Sequence, residues 1–92
     1  MIESFADKDT KAVFERRHSK RFQAIHRQAL MKLLLVHAAA TVEDLSVPPG
    51  NRLEMLKGDR RGQYSIRINQ QWRVCFRFEK GNAYDVEICD YH

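Results

Sequence analysis

The spacing of hydrophobic residues along this chain changes once, at a segment that contains prolines and a glycine. Between Phe22 and His37, apolar residues recur every three or four positions, at 22, 25, 29, 33 and 36, which is typical of an amphipathic helix. From Tyr64 onward they recur at every second position, which is typical of strands with one apolar face. The segment "SVPPGN" (46–51) separates the two patterns and is predicted to be a loop. The chain therefore places helices first and strands afterwards.

Three segments follow the two-residue period. Their apolar residues are Tyr64, Ile66 and Ile68 in the first, Trp72, Val74, Phe76 and Phe78 in the second, and Tyr84, Val86 and Ile88 in the third. The connections "NQQ" and "EKGN" are short enough for consecutive antiparallel hairpins. We expect all of these apolar side chains, including Trp72 and both tyrosines, to face the core.

A first helix is predicted within "ADKDTKAVFERR" (6–17), with Asp7 or Asp9 as its N-cap. The N-terminal "MIESF" (1–5) could add a short strand. These elements predict an α+β fold, in which two N-terminal helices pack on one face of a small, mostly antiparallel sheet and the other face is open. Residues 1–92 are expected to form a single domain, because a chain of this length supports one compact core.

Composition argues against several classes of protein. Charged residues make up 30% of the chain, and no apolar run approaches the roughly 20 residues that span a membrane. The N-terminus has an acidic residue at position 3 and lacks the apolar stretch of a secretory signal. Cys75 and Cys89 show neither metal-ligand spacing nor a disulfide framework. We therefore expect a cytoplasmic protein with free thiols, no metal and no cofactor.

Basic residues are concentrated in the predicted strand region. The net charge is +4, and seven Lys or Arg residues from Lys57 to Lys80 stand against two acids, Asp59 and Glu79. A basic cluster in a small domain suggests a polyanion as partner, either RNA or DNA. A solvated basic face that aids solubility would explain the same charge pattern.

Pairing apolar residues across the first predicted hairpin limits its strand register. If Ile68 pairs with Trp72, then Arg67 lies opposite Arg73, and Ser65 lies opposite Cys75. Like charges directly opposed on a sheet are destabilising, so two arginines that face each other on an exposed sheet suggest an anion between them. Both side chains could instead splay into solvent.

The second hairpin brings the end of the chain toward Arg73. Apolar pairing around "EKGN" allows two registers, which place Arg73 opposite either Cys89 or Tyr91. The terminal residues Asp90, Tyr91 and His92 then carry an acid, a phenol and an imidazole beside an arginine. A histidine that titrates near neutrality can transfer protons, and an aromatic ring can stack on a base. This set suggests phosphodiester transfer in RNA with the 2′-hydroxyl as nucleophile, and the alternative is a histidine that simply ends a strand.

Several motifs resemble the HigB branch of the RelE/ParE toxin superfamily. The similar segments are the "VPPGNRLE" linker, "LKGDR.GQ.SIR.N.QWR.CF" and the terminal "DYH", and the likeness extends over the whole chain. The resemblance implies a RelE-like fold and a toxin of a type II toxin–antitoxin system, which cuts mRNA on the translating ribosome without a metal. It also implies inhibition by a HigA-like helix-turn-helix antitoxin, through which the complex binds operator DNA and represses its own operon.

The same resemblance implies roles for individual residues. Lys57 of "LKGD" corresponds to a cation that contacts phosphate, and Arg73 of "QWR" to a group that stabilises charge developing on the phosphate. His92 of "DYH" is implied as the residue that transfers protons. Tyr91 would position or stack the substrate, and Asp90 would orient or tune the site.

Glu54 stands three residues before that lysine, where some members of the family carry a histidine. A carboxylate can serve as an additional acid or base, although it ionises at a lower pH than an imidazole. The basic stretch supplies further candidates for RNA contact, which are Arg60, Arg61, Arg67 and Arg77.

Two other functions are compatible with the sequence. One is a ParE-like inhibitor of DNA gyrase on the same fold, and the other is a non-catalytic RNA-binding module. The proton-transfer groups at the C-terminus and the two facing arginines argue against the gyrase inhibitor. Replacing His92 with glutamine would separate a ribonuclease from a non-catalytic binding module.

Overall fold

The computed structural model describes residues 1–90, and Tyr91 and His92 lie outside the described residues. Within the described range two α-helices come first, α1 (Lys8–Phe14) and α2 (His26–Ala38). They are followed by four strands, which are β1 (Glu54–Met55), β2 (Tyr64–Arg67), β3 (Trp72–Glu79) and β4 (Asn82–Asp90). The strands form one antiparallel sheet in the order β1-β2-β3-β4. The predicted α+β fold is confirmed.

The two helices begin differently, because a side chain caps α1 whereas α2 follows a 3₁₀ turn and has no side-chain cap. Asp7 is the N-cap of α1, and its carboxylate accepts the backbone N–H of Thr10 at 2.7 Å, which satisfies one of the free N–H groups of the first turn. The second helix begins at His26, four residues later than the period predicts, because a 3₁₀ turn precedes it. Phe22 lies before that turn and packs edge-to-face on Trp72, with ring centroids 5.4 Å apart. Within residues 1–90 no helix is long and apolar enough to cross a membrane.

The inner face of α2 joins the helical half to the sheet. Ala29, Leu33 and Val36 of this helix are fully buried and belong to one cluster with Val74 and Phe76 of β3. Burying a leucine, valine or phenylalanine side chain contributes roughly 1.5–3 kcal/mol. This layer between α2 and the sheet is therefore a major source of the stability of the fold.

The strand registers place several polar and sulfur-containing residues together on one face of the sheet. Arg67 pairs with Arg73 and Ser65 with Cys75, as predicted, while Arg73 lies opposite Cys89 on its other side. Arg73 opposite Cys89 is one of the two registers that the sequence allowed. Since paired residues project from the same face of a sheet, Ser65, Arg73, Cys75 and Cys89 all point away from the helices.

A β-bulge interrupts β4 at Asp85, whose φ is +53°. On the side of the bulge toward the hairpin turn, the register shifts by one residue, and Tyr84 pairs with Arg77. The Arg77 guanidinium lies 5.3 Å from the centroid of the Tyr84 ring. The prediction that Tyr84 faces the core is therefore wrong, because one inserted residue reverses the facing of the side chains beyond it. Ala83 takes the core-facing position and is fully buried.

The N-terminal residues run beside β4 without forming a regular strand. Ile2 and Phe5 make isolated parallel bridges with Ala83 and Val86. The predicted short strand at residues 1–5 is thus present only as two bridges. They nevertheless hold the start of the chain along the free edge of β4, which leaves fewer unpaired backbone groups at that edge.

Candidate functional site

A cavity of about 450 Å³ opens on the face of the sheet that is turned away from the helices. Residues from separate parts of the chain line it: Glu54, Met55, Leu56 and Lys57 at β1, Arg60 from a 3₁₀ turn, and Cys75, Cys89 and Asp90 from β3 and β4. Charged groups of both signs and two thiols therefore share one concave surface. Such a surface is the usual setting of a binding or active site.

The segment after β1 folds into one wall of this cavity. Leu56 donates its backbone N–H to the carbonyl oxygen of Gln63 at 2.8 Å, which closes residues 57–62 into a loop. Within the loop Arg60 donates to Glu87 Oε1 and to Gln63 Oε1, each at 3.1 Å. The ion pair with Glu87 ties the loop to β4. Lys57 lines the cavity from the start of this loop and is exposed.

Arg73 is held in the sheet by oxygen atoms from three directions. Its Nε donates to Ser65 Oγ at 2.8 Å, and one terminal nitrogen donates to the carbonyl oxygens of Arg52 at 2.5 Å and Ser65 at 3.3 Å. The same nitrogen lies 4.0 Å from Glu54 Oε1. Arg52 has a φ of +46°, and this left-handed conformation accompanies the turn of its carbonyl toward Arg73. The side chain of Arg73 is consequently fixed before any ligand arrives.

The expectation that Arg67 and Arg73 face each other on an exposed surface is wrong for Arg73. Arg73 is only 4% exposed, although the register pairs it with Arg67 as predicted. Arg67 donates its Nε to the carbonyl oxygen of Asn69 at 3.1 Å, toward the hairpin loop. The physical reason is that a guanidinium can be buried when carbonyl and hydroxyl oxygens accept its N–H groups. The pairing rule gives which residues lie opposite one another, but not which oxygen atoms reach the guanidinium.

Most of the predicted site residues near β1 and the end of β4 come together. Those that line the cavity are Glu54, Lys57, Arg60 and Asp90. Arg73 adjoins them through its contact with Glu54. Groups that are 36 positions apart in the sequence therefore share one site, which no local sequence pattern encodes.

The predicted terminal trio is described only in part. Asp90 lies opposite Trp72 in the register, and its Oδ2 accepts a hydrogen bond from Gln71 Nε2 at 3.2 Å. This contact holds the end of β4 against the hairpin between β2 and β3. Tyr91 and His92 follow directly in the sequence, and their predicted roles lie outside the described residues.

The remaining candidates for RNA contact lie away from the cavity lining. Arg61 is exposed on the loop, and Arg67 is turned toward Asn69. Arg77 pairs with Asp85 at 2.9 Å and Glu79 at 3.4 Å, and the hydrogen bond to Asp85 is the main cause that raises the pKa of Arg77 above its ordinary value. These arginines add positive charge to the surface around the sheet but do not line the cavity with the other groups.

Sequence reasoning missed the two cysteines as members of the site. Cys75 and Cys89 both line the cavity. The available signal was their place in the two-residue alternation of neighbouring strands, which puts both on the same face as Arg73. The side chains of Ser65 and Glu87, which hold Arg73 and Arg60, were missed as well, since nothing near them in the sequence indicates these contacts. Among residues 1–90, no group of three or more His, Cys, Asp or Glu residues is arranged to hold a metal ion.

The matching family model and two relatives with similar sequences point to one family of toxins. A family model described as the RelE-like toxin HigB of type II toxin–antitoxin systems matches residues 3–92. Toxin HigB-1 of Vibrio cholerae is 38% identical over 90 residues, which cover 96% of this chain and 95% of the relative. Endoribonuclease HigB of Proteus vulgaris is 33% identical over 93 residues, which cover all of both chains.

Solved structures with low sequence identity share the fold. A mutant of YafQ from E. coli superposes with a TM-score of 0.65 at 12% identity, covering 98% of this chain and 91% of that chain. A YoeB–YefM complex from Staphylococcus aureus gives a TM-score of 0.57 at 17% identity, covering 100% and 98%. At these identities the likeness concerns the fold alone.

Proposed function

The chain belongs to the HigB-like family of RelE-like toxins of type II toxin–antitoxin systems, and on this premise we propose that it is an endoribonuclease that cleaves mRNA. The relative from Proteus vulgaris whose name is Endoribonuclease HigB supports the reaction. The observation that carries the proposal is the cavity, in which Glu54, Lys57, Arg60 and Asp90 converge next to the buried Arg73.

RNA brings its own nucleophile, the 2′-hydroxyl group, so the protein has to provide proton transfer and positive charge around the phosphate. Lys57 and Arg60 are the cations that line the cavity, and we assign them to the phosphate oxygens. Arg73 stabilises the charge that develops on the phosphate. Because its guanidinium is already fixed by Ser65 and Arg52, little reorganisation is needed when that charge appears.

Proton transfer is assigned to the C-terminal residues. His92 is the general acid or base, Tyr91 positions or stacks a base of the substrate, and Asp90 orients the site. Glu54 is an additional acid or base, since its side chain is 45% exposed and lies 4.0 Å from Arg73. General acid–base catalysis of this kind contributes about 10²–10⁴ in rate.

Cleavage is proposed to take place on the ribosome and without a metal. A cavity of about 450 Å³ is the size of a site for one small molecule, so it contacts only a short stretch of RNA. A ribosome that presents the message in an extended form would supply the remaining orientation of the substrate. The basic residues outside the cavity, Arg61, Arg67 and Arg77, are assigned to longer-range attraction of the polyanion.

Mapping the 5′ ends of transcripts in cells that express the chain tests the substrate and the ribosome dependence together. New 5′ ends are expected within the reading frames of translated messages and not in untranslated RNA. Inhibition of DNA supercoiling with intact transcripts would instead identify a gyrase inhibitor. RNA binding without any cleavage would identify a non-catalytic module.

Cleavage of mRNA on purified ribosomes tests the assigned residues. We expect His92→Gln to lower the rate about 10²–10⁴-fold and Lys57→Gln to lower it about 10²-fold. Lys11→Gln is the matched control, because Lys11 is an exposed residue of α1 that carries the same charge outside the cavity. Equal rates for the Lys57 and Lys11 variants would contradict the assignment of Lys57.

The partner is proposed to be a HigA-like helix-turn-helix antitoxin, through which the complex binds operator DNA. The family description supports an antitoxin, and a chain of similar fold belongs to a solved YoeB–YefM toxin–antitoxin complex from Staphylococcus aureus. Co-purification with the protein encoded next to this chain tests the proposal. The Lys57→Gln variant is expected to retain that partner while it loses ribonuclease activity.

A further inference from the structure

Two thiols lie side by side in the wall of the cavity. The register pairs Arg73 with Cys89 and Cys75 with Glu87, so the two cysteines are diagonal neighbours on the same sheet face. Both are free and both line the cavity. Cys75 is 2% exposed, while Cys89 is partly exposed and its Sγ lies 3.8 Å from the carbonyl oxygen of Glu87. Neither thiol has a role in the RNA chemistry proposed above.

The surroundings make the two thiols unequal. The hydrogen bond that Cys75 shares with Cys89 lowers the pKa of the Cys75 thiol, burial opposes this shift, and the positive charges of Arg60 and Arg73 add to the lowering. The same hydrogen bond, together with burial, raises the pKa of Cys89. The thiolate is the nucleophile in thiol oxidation, and a small oxidant can reach Cys75 only through the cavity that it lines. On these two grounds Cys75 is suited to react first and Cys89 to resolve the product.

We propose that Cys75 and Cys89 form an oxidisable pair whose substrate is a small peroxide such as hydrogen peroxide. The Cys75 thiolate attacks one peroxide oxygen, the O–O bond breaks, and the released hydroxide takes up a proton to become water. Cys75 is then a sulfenic acid. The Cys89 sulfur attacks the Cys75 sulfur, the S–O bond breaks, and the hydroxyl group leaves with the Cys89 proton as water while the disulfide forms. Overall, two thiols are oxidised and one peroxide is reduced to two waters.

The disulfide would displace the end of β4. Diagonal neighbours on antiparallel strands have Cα atoms roughly 7–8 Å apart, whereas a disulfide usually requires Cα atoms within about 6.8 Å. Bond formation therefore needs a local shift of the strands, and β4 continues from Cys89 into Asp90. If the proposed function holds, Asp90, Tyr91 and His92 act on the RNA, so this shift moves catalytic groups. A misplacement of about 1 Å can lower an enzymatic rate by 10²-fold.

The thiol pair is tested by treating the reduced, full-length chain with hydrogen peroxide and analysing it by mass spectrometry. The expected product has lost two hydrogen atoms, yields a linked peptide of Cys75 and Cys89, and returns to the dithiol on addition of dithiothreitol. Cys89→Ser, which lacks the resolving thiol, is expected to accumulate a Cys75 sulfenic acid that dimedone traps. The proposal is overturned if no linked peptide forms, or if the folded chain reacts no faster than the chain unfolded in urea. The wild-type measurement decides the matter even if the variant does not fold.

The effect on activity is measured separately, as the ratio of RNA cleavage by oxidised and reduced protein. In the wild type the oxidised protein is expected to cleave RNA about tenfold more slowly than the reduced protein, or slower still. Dithiothreitol is expected to restore the rate. Equal cleavage by both forms would overturn the regulatory effect of the pair. If the reduced chain fails to cleave RNA at all, the proposed function is wrong, and the linked peptide still shows whether the thiol pair exists.

Discussion

At the scale of single residues, Arg73 shows how this small protein keeps a charged group inside. Its guanidinium donates to the Ser65 hydroxyl, the Ser65 carbonyl and the Arg52 carbonyl. Each of these hydrogen bonds replaces one that water would make, which offsets part of the cost of burying the charge. Ser65 is itself fully buried. The position of Arg73 beside the cavity therefore depends in part on a hydroxyl group that does not line the cavity.

Replacing Ser65 with alanine tests this dependence. We expect the free energy of unfolding of Ser65→Ala to fall by about 1.5–3 kcal/mol, because a hydrogen bond to a charged, buried donor is lost. Urea denaturation measures the change. Ser46→Ala is the control, since Ser46 is exposed and its hydroxyl donates to the Glu43 carbonyl at 2.7 Å, and a change within about 0.5 kcal/mol is expected there. Equal falls in the free energy of unfolding for both variants would show that the hydrogen bond from Arg73 to Ser65 does not stabilise the fold.

At the scale of elements, the hairpin between β3 and β4 decides which residues reach the cavity. Lys80 and Gly81 have φ values of +49° and +82°, as a two-residue type I′ turn requires. The bulge at Asp85 then shifts the register once, so that Cys89 lies opposite Arg73. Without that shift, the alternation of the terminal residues relative to β3 would be reversed. Turn and bulge together align the end of β4 with the cavity.

Substitution of Gly81 tests the turn. A side chain at a positive φ is strained, and the added Cβ would lie 3.4 Å from the carbonyl oxygen of Ala40. We expect Gly81→Ala to lower the free energy of unfolding by about 1–2 kcal/mol. Gly50→Ala is the matched control, because no atom lies within 4 Å of its added Cβ and its φ is not positive. Thermal or urea unfolding compares the two, and equal stabilities would contradict the importance of the turn conformation.

At the scale of the whole molecule, the two faces of the sheet differ in role: one stabilises the fold and the other carries the candidate site. Its inner face packs on α2 through residues such as Leu33 and Val36, and its outer face carries the cavity. Substitutions in the helical layer should therefore change how much of the protein is folded more than they change what the folded protein does. The cavity side should show the opposite behaviour, with the exception of groups such as Ser65 that also hold the fold together.

Two adjacent leucines of α2 test this separation. Leu33 is fully buried and Leu34 is 38% exposed. We expect Leu33→Ala to lower the free energy of unfolding by about 2–5 kcal/mol. The substitution removes apolar atoms that folding buries away from water, and it leaves a cavity in the core. Leu34→Ala should cost less than about 1 kcal/mol. Urea denaturation gives the stabilities, and RNA cleavage per folded molecule at low temperature is expected to remain near that of the wild type for both variants. A large loss of cleavage in a folded Leu33 variant would contradict the separation.

Much of the fold was predictable because it depends on neighbours in sequence. The helical period around Leu33, the two-residue period of β3 and the Asp7 cap follow from local patterns, and the structure confirms each of them. The pairing of Arg67 with Arg73 was predictable too, since apolar residues have to face one another across a hairpin. The prediction for Tyr84 was wrong because a single inserted residue reverses which face of the sheet the following side chains point to. The sequence around Asp85 does not indicate this bulge.

What the sequence by itself determined is the order of elements, the strand alternation and the kinds of chemistry available near the C-terminus. These depend on the identity and spacing of residues a few positions apart. Only the tertiary structure decided that Arg73 is buried, that Arg60 binds Glu87, and that Cys75 and Cys89 share a cavity wall. The oxygen atoms that allow Arg73 to be buried belong to residues 8 and 21 positions away, and contacts at such separations form only when the sheet and its loops are assembled.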